Sequence, residues 1–282
     1  MTHFSFLMVV SPTDNPSKLN RCLNSLVGQL VCAEQILLVL NGNLGQPLKS
    51  VLNQFEIGGS FDLVESASTL PLGLALNLGI KNISTEWILR IDPDDIGLRD
   101  RVALAEKCVK NNKFDLGFFS NYEIGAVGTP IFKRLTPVQY SIKNFLIFNP
   151  VVHTTALIRK SALVNLGGYN DIYLAEDYEL WLRFIQANKV IKFFPEFAII
   201  YDTEGLVKRR RSIKTILGET KILRIKNLLK PRLRVINFLV FIMRIIYRVI
   251  PSPLITFIYS RFISQRKKVE SVEENSTILR YL

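Results

Sequence analysis

Apolar positions in the first two hundred residues follow two alternating spacings. Phe4 to Val10 is an almost unbroken apolar run, the pattern of a strand covered on both faces in a parallel sheet. Ser11-Pro12-Thr13-Asp14-Asn15-Pro16 breaks it, with Asn15 suited to a helix N-cap and Pro16 to the first helical position. Leu19, Cys22, Leu23, Leu26, Val27 and Leu30 then recur at helical spacing. Glu34 to Leu40 reads as the next strand, stopped by Asn41-Gly42-Asn43. Strand, helix, strand is a βαβ unit, which calls for a right-handed crossover and a parallel pair.

A second unit follows. Phe61 to Val64 is a short strand, and Leu72 to Ile83 a helix with Leu72, Leu76, Gly79, Ile80 and Ile83 on one side. Glu86 to Asp92 is strand-like, and a helix runs from about Leu98 to Asn111. Asp115 to Ser120 is a further strand, and Tyr122 to Arg134 a hairpin or irregular strand pair. Thr136 to Phe148 has the character of a helix, Val151 to Arg159 of a strand, and Lys160 to Leu166 of a short helix capped by Gly167-Gly168. Glu176 to Asn188 is helical, and Val190 to Tyr201 forms one or two strands around Pro195.

The chemistry gathers where the fourth predicted strand ends. Asp92-Pro93-Asp94-Asp95 places three carboxylates within four positions. Like charges that close destabilise a fold, whereas magnesium or manganese, which take hard oxygen ligands, relieve the repulsion. A solvated acidic turn is the competing reading. Ligands in parallel sheets bind beyond the C-terminal strand ends. Pro12-Thr13, Asn41-Gly42 and Asp92 to Asp95 all follow predicted strands, so a parallel sheet brings the three loops to one edge. A second acidic pair, Glu176-Asp177, opens a helix, where the macrodipole favours ionised carboxylates. His153 stands alone, which fits a hydrogen-bonded structural residue as well as a site residue. With two histidines in the chain, a multi-histidine zinc site and HExxH are excluded. No Walker A loop or GxSxG elbow is present.

Charge adds a boundary. The 282 residues carry a formal net charge of +12, unevenly spread. Residues 1–207 hold 18 Lys/Arg against 20 Asp/Glu, whereas residues 208–268 hold 17 Lys/Arg against the single acid Glu219. A near-neutral body with a strongly basic segment points to an anionic surface as that segment's partner and away from nucleic acid. Three cysteines with no metal-ligand spacing, and a start without a signal-peptide pattern, place the chain in the cytosol with free thiols. Val235 to Met243 is apolar apart from Asn237 and bracketed by Arg234 and Arg244, too short and too charged to span a bilayer. It fits an amphipathic helix lying on a membrane surface. Helices packed on the body with a solvated basic face are the alternative.

Several motifs in order resemble a family-2, inverting glycosyltransferase of the GT-A fold, of the amylovoran-type exopolysaccharide and O-antigen kind. The resemblance spans about residues 4–202. It rests on Pro12-Thr13-Asp14-Asn15; Gly73-Leu74-Ala75-Leu76-Asn77-Leu78-Gly79-Ile80; Glu86-Trp87-Ile88 through Asp95-Ile96; Asn149-Pro150 with His153; Arg159-Lys160-Ser161; Gly167-Gly168-Tyr169; and Glu176-Asp177-Tyr178-Glu179-Leu180-Trp181-Leu182-Arg183. It implies an α/β, Rossmann-like, mostly parallel sheet flanked by helices, with a catalytic domain over residues 1–205 and basic amphipathic helices over 206–282. It implies a nucleotide-sugar donor, UDP-linked in the usual case, and Mg2+ or Mn2+ held by Asp94 with Asp92, Asp95 assisting. Pro12, Thr13, Asn15, Asn41 and Asn77 would line the donor pocket. Asp177 would be the general base, with Glu176, Trp181 and His153 on the acceptor side. The acceptor would be a glycan on a polyprenyl diphosphate or another carrier, and the enzyme would sit peripherally on the inner face of the cell membrane. The chain departs from the family's pattern at Leu40-Asn41-Gly42, where an aspartate is usual, and at Asp14, where an aromatic is common. The same acids also allow a metal-dependent phosphatase or nucleotidyltransferase, or an inactive nucleotide-sugar-binding relative.

Overall fold

A computed structural model describes residues 3–56, 61–125, 131–136, 145, 149–204, 214–229, 231–249 and 267–268. Strand β1 (Phe4–Val10) is buried along its whole length. Helix α1 (Pro16–Val27) is capped by Asn15, whose side-chain oxygen accepts from the Ser17 and Lys18 amides at 2.9 and 3.2 Å. That cap and Pro16 make the sharp start the sequence predicts. Strand β2 (Gln35–Asn41) pairs parallel with β1, Ser5 opposite Gln35 and Val10 opposite Leu40. Helix α2 (Gln46–Glu56) lies outside the sequence expectations. Its signal was present, since Leu48, Val51, Leu52 and Phe55 recur at helical spacing and pack into the core. Strand β3 (Asp62–Ser66) then adds to β2 in parallel.

Helix α3 (Leu72–Asn82) crosses over the sheet to β4 (Trp87–Arg90), which pairs parallel with β1. A short strand β5 (Ile96–Gly97) follows, and helix α4 (Arg101–Asn111) begins three residues later than the spacing predicts. The cause is pairing: Ile96 lies opposite Ile200, and the Leu98 amide donates to Ala198 at 2.9 Å, so the chain stays extended. The long strand β6 (Leu116–Ile124) and β7 (Phe132–Arg134) form the predicted antiparallel pair. The helix expected over Thr136 to Phe148 falls almost wholly outside the described residues; Thr136 itself is not helical and Phe145 is.

The strand expected from Val151 starts only at Ala156. A 3-10 turn over His153–Thr155 precedes β8 (Ala156–Arg159), closed by the Thr155 hydroxyl and amide, which donate to the Val152 carbonyl at 2.7 and 3.1 Å. Helix α5 (Lys160–Asn165) ends as expected at Gly167 and Gly168, both at positive φ, with the Gly168 amide donating to Leu163 at 3.0 Å. Helix α6 (Glu176–Gln186) leads to β9 (Ile191–Asp202), one continuous strand that pairs parallel with β6. Its register shifts twice between Phe119 and Asn121, where β9 carries Pro195 and Glu196, and then Ala198, as extra residues. Helices α7 (Lys214–Leu229) and α8 (Arg234–Val249) complete the basic segment, and β10 (Lys267–Lys268) pairs with β7.

The sheet order is β10-β7-β6-β8-β4-β1-β2-β3, with β9 and β5 off the main path. This is the expected α/β architecture: parallel through β4-β1-β2-β3, with antiparallel β8 inserted between β4 and β6. The core lies on both faces. One side joins α3, α5 and α6 through residues such as Leu76, Leu163 and Trp181; the other joins α1, α2 and α4 through Leu23, Leu52 and Val102. Ile222 of α7 is buried in the first of these clusters, so the tail's first helix packs on the body.

Gly79 of α3 lies flat on the sheet. A Cβ there would meet Leu7 Cδ1 at 2.5 Å and Val39 Cγ2 at 2.8 Å. Gly79→Val is expected to lower stability by about 1–3 kcal/mol through overpacking, read as a lower urea midpoint at unchanged slope.

Candidate active site

Because β8 runs opposite to β4 and β6, the C-terminal ends of β1, β2, β4 and β6 and the start of β8 share one sheet edge. Every polar loop singled out in the sequence emerges there. After β1, Ser11 to Asp14 closes into a turn: the Ser11 amide donates to Asp14 Oδ2 at 2.7 Å, leaving Pro12 and Thr13 exposed at its tip. After β2, both ends of the Asn41 amide are taken by the backbone of Leu70, at 2.8 and 2.9 Å, and its Nδ2 also reaches Ser11 Oγ at 3.5 Å. Asn41 thereby ties the first two loops to the chain entering α3.

The β4 end carries the carboxylates. Oxygens of Asp92, Asp94 and Asp95 lie within 4.8 Å of one another. Asp92 and Asp94 are half-buried, whereas Asp95 is fully buried. The Asp202 amide donates to Asp95 Oδ1 at 3.0 Å, but Asp95 Oδ2 is buried with no hydrogen-bond partner. Burial first, and then the charges of Asp94 and Asp92, push the Asp95 carboxyl well above its ordinary value. The Asp202 amide and the nearby Thr154 hydroxyl, whose oxygen makes no hydrogen bond of good geometry, act against this. A buried, partnerless carboxylate oxygen facing two further acids matches the donor set of a hard divalent cation, so the residues present fit such an ion.

Two buried arginines frame this cluster. Arg90 pairs with Asp92, and Arg101 donates to the Arg90 and Thr154 carbonyls at 2.7 Å each, linking β4 to the turn before β8. Burial pulls Arg101 down to about 9, against the opposing charges of Asp95 and Cys22. The sequence reading missed both. Arg90 did leave a signal, a cation inside the apolar run Trp87-Ile88-Leu89, where only a partnered charge is tolerated.

The second acidic pair opens α6. Asp177, half-buried in the first turn of α6, accepts from Asn149 Nδ2 at 2.8 Å and from the Tyr178 amide at 2.6 Å. Glu176 is buried, and burial followed by the charge of Asp177 raises it to about 8, with Asp92 adding to the rise and Arg90 opposing it. Asp92 and Arg90 at the β4 end therefore share an electrostatic neighbourhood with Glu176 and Asp177. Tyr169 lies in the same neighbourhood: burial raises its phenol, which feels Arg90, Asp177, Glu176 and Asp92.

The remaining candidates are built into the walls. His153 Nε2 is 2.9 Å from the Tyr169 hydroxyl, and burial, with Arg90 adding, drives the imidazole well below its ordinary value, toward the neutral ring. Trp181 is fully buried, edge-on to Phe118 at 5.0 Å and to His153 at 5.8 Å. Asn77 is clasped by Tyr169, accepting from its amide and donating to its carbonyl at 2.8 Å each. Gly168 sits against the Asn77 side chain, and Gly73 against the Asn170 carbonyl, where a Cβ would come within 2.7 Å. The N-terminal half of α3 thus fixes the glycine-rich turn that carries Tyr169.

No protein-family model matches the chain. Among curated proteins it is 30% identical over 266 residues to an uncharacterized glycosyltransferase of Haemophilus influenzae, covering 92% of this chain and 98% of that one. It is 28% identical to the amylovoran biosynthesis glycosyltransferase AmsE of Erwinia amylovora, again over 92% and 98% of the two chains. It is 24% identical to the UDP-Gal:alpha-D-GlcNAc-diphosphoundecaprenol beta-1,3-galactosyltransferase of Escherichia coli, over 77% of this chain and 81% of that protein. The crystal structure of S. aureus TarS in complex with UDP-GlcNAc superimposes with a TM-score of 0.64 at 15% identity, covering 100% of this chain and 80% of that one.

The raised Glu176 gives a pH dependence of stability. Its carboxyl binds a proton more tightly folded than unfolded, so its contribution weakens as pH rises from about 4.5 toward about 8. Glu176→Gln removes that slope. The variant is expected to gain stability relative to the parent between pH 5 and pH 9, read from denaturation midpoints at each pH.

Proposed function

The chain belongs to the glycosyltransferases, and we propose that it moves a sugar, with inversion, from a nucleoside-diphosphate sugar to a hydroxyl of a lipid-linked glycan in surface polysaccharide synthesis. The observation that carries this reading is two acidic groups within electrostatic reach of each other, one of them at the C-terminal edge of the parallel strands. Asp92, Asp94 and Asp95 converge at the β4 end, and Asp177 opens α6 in the same electrostatic neighbourhood. The galactosyltransferase relative named for a UDP-sugar and a diphosphoundecaprenol acceptor, and the fold neighbour crystallised with UDP-GlcNAc, support the choice of donor and acceptor class. A family-2 assignment agrees with the order of motifs in the chain.

Each residue then has a task. Asp94 and Asp92 would hold Mg2+ or Mn2+, with Asp95 as the buried third carboxylate. A divalent ion there supplies charge stabilisation to a departing diphosphate. The exposed Pro12-Thr13 turn and the Asn41 loop, on the same edge, would border the nucleoside. Asp177 would take the proton of the acceptor hydroxyl as that oxygen attacks the anomeric carbon from the face opposite the diphosphate. Asn149 fixes the Asp177 carboxylate from outside its own helix. Glu176, pushed up to about 8 beside it, keeps its proton near neutral pH, so one of two adjacent carboxyls is left to act as base. The buried Tyr169–His153 contact would form a rigid floor between the two ends.

Asp177→Asn separates proton removal from donor binding. Transfer from UDP-sugar to a polyprenyl-diphosphate glycan is expected to fall about 10²–10⁴-fold, while the thermal shift given by UDP with Mn2+ stays at the parent value. Undiminished turnover of the variant would remove Asp177 from the role of base.

A further inference from the structure

Helix α8 is amphipathic in the inverted sense. Its polar stripe faces the protein: Asn237 is 3% exposed and donates to Asn227 of α7 at 2.9 Å. About two turns further on, Arg244 pairs with Glu219 at 2.9 Å and lies over the Tyr178 ring at 5.6 Å. Lys226 of α7 is buried in the same seam, 4.9 Å from that ring, and burial together with Arg244 pulls it down to about 7. The opposite stripe is apolar and open, with Val235, Phe238, Leu239, Met243 and Ile246 between 52% and 72% exposed. A surface helix of a protein in water normally buries its apolar stripe and solvates its cations. Turning the apolar stripe outward and Arg244 inward costs free energy twice, unless the medium outside the apolar stripe is itself apolar.

We propose that the apolar face of α8 is a bilayer-seating surface, inserted at the headgroup–acyl boundary of an anionic membrane. Charge selects the occupant. Arg232 and Arg234 at the start of the helix, and Lys221 and Arg224 on α7, are exposed, within a segment of 17 Lys/Arg and one acid. Exposed cations at the start of an apolar stripe, on a basic segment, match anionic headgroups over acyl chains, each nearby cation adding to the attraction. Among the described residues no helix is long and apolar enough to cross a membrane, so the contact is one of lying on the surface. The seating also bears on the site. Gly218 of α7 packs against Tyr173 and Ala175, the loop entering α6, and Tyr178, held by the α7–α8 seam, follows Asp177 directly. The face would thus hold the base-bearing helix near the plane where a lipid-borne acceptor lies. The inference deepens the proposed function and rests on it only for that last step.

The full chain is tested by co-sedimentation with phosphatidylcholine vesicles, with and without phosphatidylglycerol, against Phe238→Ser/Leu239→Ser/Met243→Ser. The parent is expected to bind the anionic vesicles, and the triple variant to need at least ~10-fold more lipid for half-binding. Arg232→Gln/Arg234→Gln is expected to weaken binding less and to flatten its salt dependence. The UDP and Mn2+ thermal shift, measured without vesicles, reports folding and donor binding separately, so a failed donor reading is distinguishable from a failed membrane reading. Undiminished vesicle binding by the folded triple variant overturns the proposal. So does a parent dimer, seen by sedimentation velocity without lipid, that the triple variant abolishes while vesicle binding persists.

Discussion

Three carboxylates within 4.8 Å of one another, one of them buried with a partnerless oxygen, form the constraint to which the surrounding structure answers. Such a cluster opposes folding, since each charge raises the cost of the next. The protein surrounds it with rigid support. Arg90 pairs with Asp92, Arg101 holds the backbone on either side, and the Asp202 amide fixes one oxygen of Asp95. None of these groups hydrogen-bonds the second oxygen of Asp95. The fully buried strand β4, locked between β1 and β8, carries the cluster at its end.

The same scaffold sets the opposite end of the site. Inserting β8 antiparallel between β4 and β6 brings the His153–Thr155 turn back to the edge where Asp92 emerges. The Asn77–Tyr169 clasp and two tight glycines then lock the chain that enters α6. Asp177 and Glu176 leave that helix with different environments, one hydrogen-bonded and half-buried, the other buried and raised.

Much of this was legible in the chain. The βαβ opening, the Asn15 cap, the Gly167-Gly168 stop and the acidic strand end all follow from local patterns that tertiary structure left intact. What escaped depended on contacts distant in sequence. The late start of α4 comes from pairing with β9, a hundred residues away. Arg101 reads as an ordinary first-turn cation until the turn before β8 arrives beside it. Asn77 and Asn41 read as ligand-facing amides, but the backbone takes up both ends of each. Helix α2 was readable from Leu48, Val51, Leu52 and Phe55. The inversion of α8 could not be read, because its periodicity gives an apolar face without saying which way that face points.

The central claim is that the β4 acids form a cation-dependent site for a nucleoside diphosphate. Calorimetric titration of UDP into the full chain, in Mn2+ and then in EDTA, tests it most directly. The account predicts saturable binding with Mn2+ that is lost in EDTA, and lost in Mn2+ when Asp94 is changed to alanine. Equal affinity for UDP with and without the metal, or in the Asp94→Ala variant, would contradict it.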